Sequence, residues 1–286
     1  MRTRFAPSPT GPLHLGHAYS AMLASDLARD IGGTFHLRIE DIDRSRARDH
    51  WEAQIYTDLA WLGLRWEHPV LRQSERMDAY RQALETLWRR GFLYPCSCRR
   101  RDIRDALAAP QEGAPVYGPD GPVYPGTCRP AAPPAGSPPH ETALRLDMRR
   151  ALQSLDPASL WFEETTGKGR ISLSPCELID GVGDVVLARR DMGTSYHLSV
   201  VVDDAAQGIT HVTRGEDLFE ATAVHVVLQR LMDMPSPIYQ HHRLIRDAEG
   251  KRLAKRDDAR SIARYREDGL SPADIRQLVD LTPRHQ

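Results

Sequence analysis

The chain has 286 residues, of which 41% are hydrophobic and 27% are charged, and its formal net charge is −1. This length predicts about two domains, and the composition excludes disordered, collagenous and coiled-coil chains. No apolar run approaches the roughly 18 residues of a membrane span, and the N-terminus lacks the apolar segment of a signal peptide. We therefore expect a globular, cytoplasmic protein, whose near-zero net charge neither favours nor excludes nucleic acid as a partner.

The first elements along the chain predict an α/β domain. A helix is predicted over 17–30, before two glycines, and a strand over 34–41, where apolar and polar residues alternate. Two further helices are predicted over 48–62 and 75–90, and Ser74 is the expected N-cap of the second. A loop, a helix and a strand in this order are typical of an α/β fold.

Residues 110–139 interrupt this pattern, because ten of the 21 prolines and five glycines lie there. Proline at that density sustains neither a helix nor an inner strand, so a loop or an insertion is predicted. Strands are predicted after it at 184–188, 196–202, 209–213 and 239–245. Helices are predicted at 218–232, 257–268 and 272–280.

The segment from Arg4 to His17 carries the strongest functional signal. It reads Arg-Phe-Ala-Pro-Ser-Pro-Thr-Gly-Pro-Leu-His-Leu-Gly-His, a proline-stiffened loop followed by His-x-Gly-His at a predicted helix start. Gly16 allows an anion to approach the backbone, and a helix N-terminus attracts negative charge. His14 and His17 add donors for the charge that develops on a phosphate. The pattern predicts a phosphate site, whereas a bare His-x-Gly-His would favour two surface histidines.

This segment resembles the first signature of class I aminoacyl-tRNA synthetases, in the form found in glutamyl enzymes. The resemblance continues in the family's order through Arg38-Ile-Glu-Asp-Ile-Asp-Arg44, Tyr196-His-Leu-Ser-Val-Val-Val-Asp-Asp204, Val212-Thr-Arg-Gly-Glu-Asp217 and Lys251-Arg-Leu-Ala-Lys-Arg256. It implies a Rossmann-like parallel sheet with an inserted zinc-containing subdomain and a short C-terminal extension. The implied boundaries are 1–92 and 186–238 for the two halves of the catalytic domain, 93–185 for the insert, and 239–286 for the second signature and a helical tail.

The charges of three residues match those of glutamate, which has two carboxylates and one ammonium group. Arg4 and Arg214 can each hold a carboxylate through two hydrogen bonds. Glu40 follows a predicted strand, where open α/β sheets bind their ligands, and can hold the ammonium group. A surface salt bridge is the alternative for an isolated Glu. The resemblance adds Ser8 and Tyr196 as glutamate contacts, although Tyr196 by itself is typical of a strand tyrosine.

The segment from Lys251 to Arg256 resembles the second class I signature, Lys-Met-Ser-Lys-Ser. Aligned on Lys255, it departs from the signature at Arg252 and Ala254, and Lys251 is an alternative for the first lysine. The resemblance implies that Lys255 neutralises the phosphates of ATP, which binds with Mg²⁺. The implied ATP-binding and catalytic residues are His14, Gly16, His17 and Lys255.

Three of the four cysteines, Cys96, Cys98 and Cys128, are spaced as candidate thiolate ligands of zinc, which favours four tetrahedral ligands. A short branch of the glutamyl family has Cys-x-Cys followed by Tyr-x-x-x-Cys. The resemblance to it implies one zinc ion per chain with Tyr124 as the fourth ligand. Tyr117 is a rival fourth ligand, and buried free thiols are the alternative to a metal site.

Only 31 residues follow Lys255, too few for the anticodon-binding region of a complete glutamyl enzyme. The chain therefore resembles the shortened branch of the family, whose members activate glutamate with ATP in the absence of tRNA. They transfer it to the queuosine base at the first anticodon position of aspartate tRNA. The expected partners are glutamate, ATP and this tRNA, with no membrane, and the chain is expected to be a monomer.

Two other functions stay open. One is an enzyme that charges the terminal ribose of glutamate tRNA. The other is a non-catalytic sensor of glutamate or its adenylate, which the departures at Arg252 and Ala254 favour and the histidines of the first signature oppose.

Overall fold

A computed structural model describes residues 1–108, 116–139, 141–246 and 260–281. Its strands are β1 (Arg2–Phe5), β2 (Thr34–Ile39), β3 (Glu67–Arg72), β4 (Leu93–Cys96), β5 (Tyr117–Gly118), β6 (Gly121–Pro122), β7 (Ala143–Leu146), β8 (Trp161–Glu164), β9 (Gly169–Ser172), β10 (Val186–Ala188), β11 (His211–Gly215) and β12 (Ile238–His242). Its helices are α1 (Leu15–Asp30), α2 (Asp49–Trp61), α3 (Met77–Arg89), α4 (Arg100–Ala108), α5 (Met148–Gln153), α6 (Pro175–Glu177), α7 (Tyr196–Ala206), α8 (Ala221–Leu231), α9 (Ile262–Glu267) and α10 (Pro272–Leu278). Within these ranges, no helix combines the length and the apolar character that crossing a bilayer requires.

Parallel strands form the centre of the fold. β2 lies between β1 and β3, and β12 lies between β11 and β8, with every neighbour parallel. The two groups meet where the backbone N–H of Thr210, before β11, donates to the carbonyl of Arg2 in β1 at 3.0 Å. The predicted α/β class with a parallel sheet is thereby confirmed. The carboxyl ends of β1, β2, β11 and β12 face one region, as ligand-binding open sheets require.

Antiparallel pairing is concentrated between β4 and β10. β7 pairs with both β4 and β10, while β5 and β6 form a short hairpin within the proline-rich segment. β8 comes from the same stretch of sequence but joins the parallel sheet beside β12. The boundaries of the inserted subdomain stay a prediction.

The strand predicted at 196–202 is wrong, because these residues begin helix α7. Ser195 caps the helix by accepting a hydrogen bond from the N–H of Leu198. Every residue from 197 to 204 is buried, so the helix has no polar face and shows no helical period in its sequence. Three consecutive valines locally favour a strand, but burial on all sides of a helix outweighs that preference.

The predicted cap at Ser74 is also wrong. Ser74 lies in a short 3₁₀ turn, Gln73–Glu75, and α3 begins at Met77 after Arg76. The backbone N–H of Ser74 instead donates to the carboxylate of Asp41 at 2.8 Å, which ties the turn to the loop after β2.

The two C-terminal helices pack into the same hydrophobic core as α1 and α2. Ile262 in α9 and Ile275 in α10 are fully buried there. The guanidinium of Arg276 forms two hydrogen bonds with Asp26 in α1, at 2.7 and 2.9 Å. The tail therefore closes the outer side of α1.

Candidate active site

A cavity of about 370 Å³ opens at the carboxyl ends of β1, β2 and β11. Seven residues that the sequence assigned to glutamate or ATP line it: Arg4, His14, Gly16, His17, Glu40, Tyr196 and Arg214. Ser8 is half-buried in the loop after β1, outside this lining. Lys255 lies outside the described residues. The roles of these residues stay predictions.

The two histidines of the His-x-Gly-His segment cap the N-terminus of α1. His14 is the N-cap, and its Nδ1 accepts from the N–H of Gly16 at 3.1 Å. Nδ1 of His17 accepts from the N–H of His14 at 3.2 Å. Each neutral ring therefore carries its hydrogen on Nε2 and can donate from there. A Cβ on Gly16 would lie 3.1 Å from the His14 ring, so the glycine accommodates that ring as well as any ligand.

Arg4 belongs to a buried cluster of four charges. Arg4 Nε lies 3.1 Å from Asp204 Oδ1, and Arg38 Nη1 lies 2.6 Å from the same oxygen. Arg38 Nη2 also contacts Glu40 at 3.2 Å. Burial raises the pKa of Asp204, but the two arginines outweigh it and hold the pKa below its usual value. Burial raises the pKa of Glu40 despite the same two arginines, so this carboxyl protonates more readily than an exposed one.

Arg214 is 5% exposed and is held by uncharged partners. Its Nε donates to Nε2 of His241 at 3.1 Å, its Nη1 to Nδ1 of His225 at 3.1 Å, and its Nη2 to Oγ1 of Thr222 at 2.6 Å. It forms no ion pair with a carboxylate of the described residues. These bonds use three of the five guanidinium hydrogens and leave one on each terminal nitrogen, which suits a bidentate carboxylate.

His241 supports Arg214 from the side of β12. Its Nδ1 hydrogen-bonds the buried carboxylate of Glu164 in β8. Burial lowers the pKa of His241 to about 4, with Arg214 adding to that effect and Glu164 opposing it. The ring is therefore neutral at pH 7 and can accept from Arg214.

The three cysteines predicted as metal ligands gather in one place. The sulfur atoms of Cys96, Cys98 and Cys128 all lie within 4.8 Å of one another. The hydroxyl of Tyr124 lies 3.5 Å from Cys96 Sγ and 3.4 Å from Cys98 Sγ, and it accepts from the N–H of Cys128 at 2.8 Å. This cluster could bind a metal. Tyr117, the rival, is 71% exposed on β5.

An arginine accompanies this thiol cluster. Arg145 in β7 donates from Nε to Cys96 Sγ at 3.3 Å, and its guanidinium lies 3.8 Å from the centre of the Tyr124 ring. A cation in this place offsets negative charge on the thiolates and favours this deprotonated form, which is the form that ligates metals.

Sequence reasoning assigned no role to Asp204, His225 or His241. His225 carried a signal, since it is a polar residue inside an otherwise apolar segment. Buried polar groups in such segments are hydrogen-bonded, which marks them as members of a network. Their hydrogen-bond partners lie on other elements of the fold and cannot be predicted from the sequence.

The family of tRNA synthetases class I (E and Q), catalytic domain, matches residues 1–282. A glutamyl-Q tRNA(Asp) synthetase of Rhodobacter capsulatus is 63% identical over 284 residues, which cover 98% of this chain and 100% of the relative. Another of Symbiobacterium thermophilum is 40% identical, covering 95% and 83%. The crystal structure of a glutamate tRNA ligase from Elizabethkingia meningosepticum, in complex with its amino acid, superposes with a TM-score of 0.74 at 28% identity and covers 97% of this chain. This chain spans 60% of the length of that ligase chain.

These matches confirm the predicted class I synthetase fold and the prediction of an ATP-dependent glutamate ligase of that type. The chain belongs to the class I tRNA synthetases of the glutamate and glutamine type, within the group of glutamyl-Q tRNA(Asp) synthetases.

Proposed function

We propose that this enzyme activates glutamate with ATP in the absence of tRNA and then transfers the glutamyl group to the queuosine base of aspartate tRNA. The relatives named glutamyl-Q tRNA(Asp) synthetases support the choice of acceptor. The observation that carries the amino-acid part is Arg214, a buried cation at the cavity that contacts uncharged groups. A buried charge of this kind gains most from an anionic ligand.

Glutamate fits the charges around the cavity. Its side-chain carboxylate would bind the two remaining N–H groups of Arg214. Its ammonium group would lie toward Glu40, whose side chain lines the same cavity. Glutamine lacks the negative charge, so it would leave Arg214 without a counter-ion, and glutamate should be preferred strongly.

In the first step, the α-carboxylate of glutamate attacks the α-phosphorus of ATP and pyrophosphate leaves. His14 and His17 can donate from Nε2 to the phosphate oxygens, whose charge grows during this step. Mg²⁺ bound with ATP would neutralise part of the same charge, and Lys255 is assigned to pyrophosphate by the signature alone. The chain thus contributes mainly positioning and electrostatic stabilisation.

In the second step, a hydroxyl of the cyclopentene ring of queuosine attacks the carbonyl carbon of the adenylate. The ester bond forms, the bond to the phosphate breaks, and AMP leaves with the electron pair. The attacking hydroxyl gives up its proton to solvent as the ester forms.

Glutamate-dependent exchange between ATP and pyrophosphate, with tRNA omitted, tests the first step. We expect exchange with glutamate and much slower exchange with glutamine and aspartate. Absence of exchange with glutamate at saturating Mg²⁺ would overturn tRNA-independent activation.

Transfer of labelled glutamate tests the second step. Aspartate tRNA with queuosine should accept the label, whereas the same tRNA carrying guanosine at that position should not. Labelling of glutamate tRNA at its terminal ribose would instead support the alternative enzyme, and binding of glutamate with neither activity would support the sensor.

The thiol cluster is proposed to hold one zinc ion through Cys96, Cys98, Cys128 and Tyr124. Three sulfur donors and one oxygen donor within a few ångströms fit the tetrahedral preference of zinc. Zinc in such a closed site supplies structural stability, and Arg145 balances the excess negative charge of the ligands.

Metal analysis of untagged protein tests this assignment. We expect one zinc per chain, with a large loss in Cys128→Ser. Cys176→Ser is the matched control, because Cys176 is exposed and lies outside the cluster. Tyr124→Phe should weaken zinc binding more than Tyr117→Phe, and the reverse order would move the fourth ligand to Tyr117.

A further inference from the structure

A continuous line of side-chain hydrogen bonds connects the proline-rich segment with the cavity. The carboxylate oxygens of Asp120 lie 3.0 and 3.1 Å from Nε2 of His197. Nδ1 of His197 lies 3.1 Å from Nε2 of His225, whose Nδ1 lies 3.1 Å from Nη1 of Arg214. We call these four residues the histidine line. It joins the β5–β6 turn, α7, α8 and β11.

The chemistry of arginine sets the direction of each hydrogen bond in the histidine line. A guanidinium only donates, so Nδ1 of His225 must accept and its hydrogen must lie on Nε2. That N–H donates to Nδ1 of His197, and Nε2–H of His197 then donates to Asp120. Burial, with the nearby charge of Arg214, keeps the pKa of His225 well below its usual value, in agreement with a neutral ring.

The turn that carries Asp120 is held against the body of the protein. Asp120 follows Pro119 and precedes Gly121, whose φ of 101° lies in the left-handed region that favours glycine. Gly118 packs so closely that an added Cβ would lie 2.5 Å from the carbonyl oxygen of Gly181. Asp120 is therefore presented from a fixed position, although 55% of its side chain is exposed.

We propose that Asp120 is a positioning residue for Arg214, acting through His197 and His225. The carboxylate accepts from Nε2–H of His197 and anchors that ring, which holds the ring of His225 in place as an acceptor and thereby orients the guanidinium toward the cavity. This inference rests on the proposed function, in which Arg214 holds a carboxylate of glutamate. It gives the proline-rich segment a part in amino-acid binding, separate from zinc.

The effect should be on glutamate binding more than on the chemical step. Arg214 contacts the same carboxylate before and during adenylate formation, so its orientation contributes equally to the ground state and the transition state. Loss of one hydrogen bond at the end of the histidine line should raise the KM for glutamate by about three- to tenfold. The kcat should change by less than about twofold, since uniform binding does not alter it.

Pyrophosphate exchange by the full chain with Asp120→Ala tests this split between KM and kcat. Asp120→Asn keeps an oxygen that accepts from His197, so it should restore KM to nearly the parent value. Asp105→Ala is the control, because this exposed aspartate contacts Arg101 in the same helix, away from the histidine line. A parent-like KM in Asp120→Ala would overturn the proposal, as would an equal defect in Asp120→Asn.

Ring-nitrogen NMR spectra report on the hydrogen bonds of the histidine line in the absence of substrate. We expect the Nε2–H tautomer for His197 and His225 in the parent. In Asp120→Ala the Nε2–H signal of His197 should shift and exchange faster with water, because its carboxylate acceptor is lost. Unchanged ring signals in that variant would count against the proposal. A parent that shows no glutamate-dependent exchange would overturn the proposed function instead, while these signals would still decide whether Asp120 orders the histidine line.

Discussion

Arg4 and Arg214 reach one cavity from the neighbouring strands β1 and β11, but their charges are balanced in different ways. Arg4 shares the carboxylate of Asp204 with Arg38, and Arg38 also contacts Glu40, so two positive and two negative charges offset each other. Arg214 contacts two imidazoles and a hydroxyl. We call the first set the paired cluster.

The difference indicates separate tasks for the two arginines. The paired cluster is complete without a ligand, so its main contribution is to hold β1, β2 and α7 together. Arg214 has positive charge that the described residues leave uncompensated, so it should contribute most to binding an acidic substrate. The sequence treated the two residues as equivalent carboxylate clamps, and their surroundings make them unequal.

Among the variants proposed here, replacement of Arg214 should have the largest effect on activity. Arg214→Met removes the cation, and kcat/KM for glutamate in pyrophosphate exchange should fall by about 10²- to 10³-fold. The free energy of unfolding should stay the same or rise, because the variant removes a buried charge that lacks a carboxylate partner. Exchange kinetics and urea unfolding measure the two effects.

Arg190→Met is the control for that experiment, since Arg190 is exposed and lies outside the cavity lining. It should resemble the parent in both measurements. Parent-like exchange by Arg214→Met would show that the uncompensated charge is not used for glutamate.

Loss of Asp204 should affect stability instead. Asp204→Ala leaves the guanidinium groups of Arg4 and Arg38 buried without their common carboxylate, and we expect the free energy of unfolding to fall by about 3 kcal/mol. Urea unfolding measures it, with Asp105→Ala as an exposed control that should stay within about 0.5 kcal/mol of the parent. A loss no larger than the control's would mean that Glu40 alone balances the two arginines.

Arg4→Met should have a smaller effect on stability than Asp204→Ala. Asp204 keeps its 2.6 Å contact with Arg38 in this variant, so we expect a loss of about 1–2 kcal/mol in urea unfolding. The decrease in kcat/KM for glutamate should be smaller than that of Arg214→Met. A larger decrease would reverse the tasks assigned to the two arginines.

Secondary structure was predictable from the sequence where the pattern is local. The helix predicted at 17–30 and the strand predicted at 34–41 correspond to α1 and β2, because each has its own period and its own boundary residues. Helix α7 was not predictable in this way. It is buried on all sides, so neither its propensity nor its period distinguishes it from an inner strand.

The site was likewise predictable from the sequence only in part. The motif residues that line the cavity were found because the family signatures preserve their order along the chain. The balance of charge around Arg4 and Arg214 was not found, because it depends on contacts between residues as far apart as Arg4 and Asp204. Likewise, the N–H of Gly16, at the helix start that was predicted to attract a phosphate, donates to His14, a detail of ring orientation that no spacing encodes.

The pH dependence of stability should also differ between the surroundings of Arg214 and the paired cluster, although this effect is smaller. The pKa of His241, beside Arg214, is lowered to about 4, whereas an unfolded histidine has a pKa of about 6.5. Between these values the unfolded chain takes up a proton that the folded ring excludes, so stability is complete above pH 6.5 and falls as the pH decreases toward 4. His241→Asn should remove about 1 kcal/mol of the loss between pH 7.5 and pH 5.5.

The paired cluster should respond in a lower window. The pKa of Asp204 is held below its usual value of about 3.9, so its contribution is present above that pH and is lost as the pH falls through the lowered pKa. Asp204→Asn should therefore alter the slope of unfolding free energy against pH only below about pH 4. His50→Asn, at an exposed position, is the control and should leave both windows unchanged. If His241→Asn leaves the loss of stability between pH 7.5 and pH 5.5 as large as in the parent, the folded ring is already protonated at pH 5.5. Its role as an acceptor for Arg214 would then be wrong.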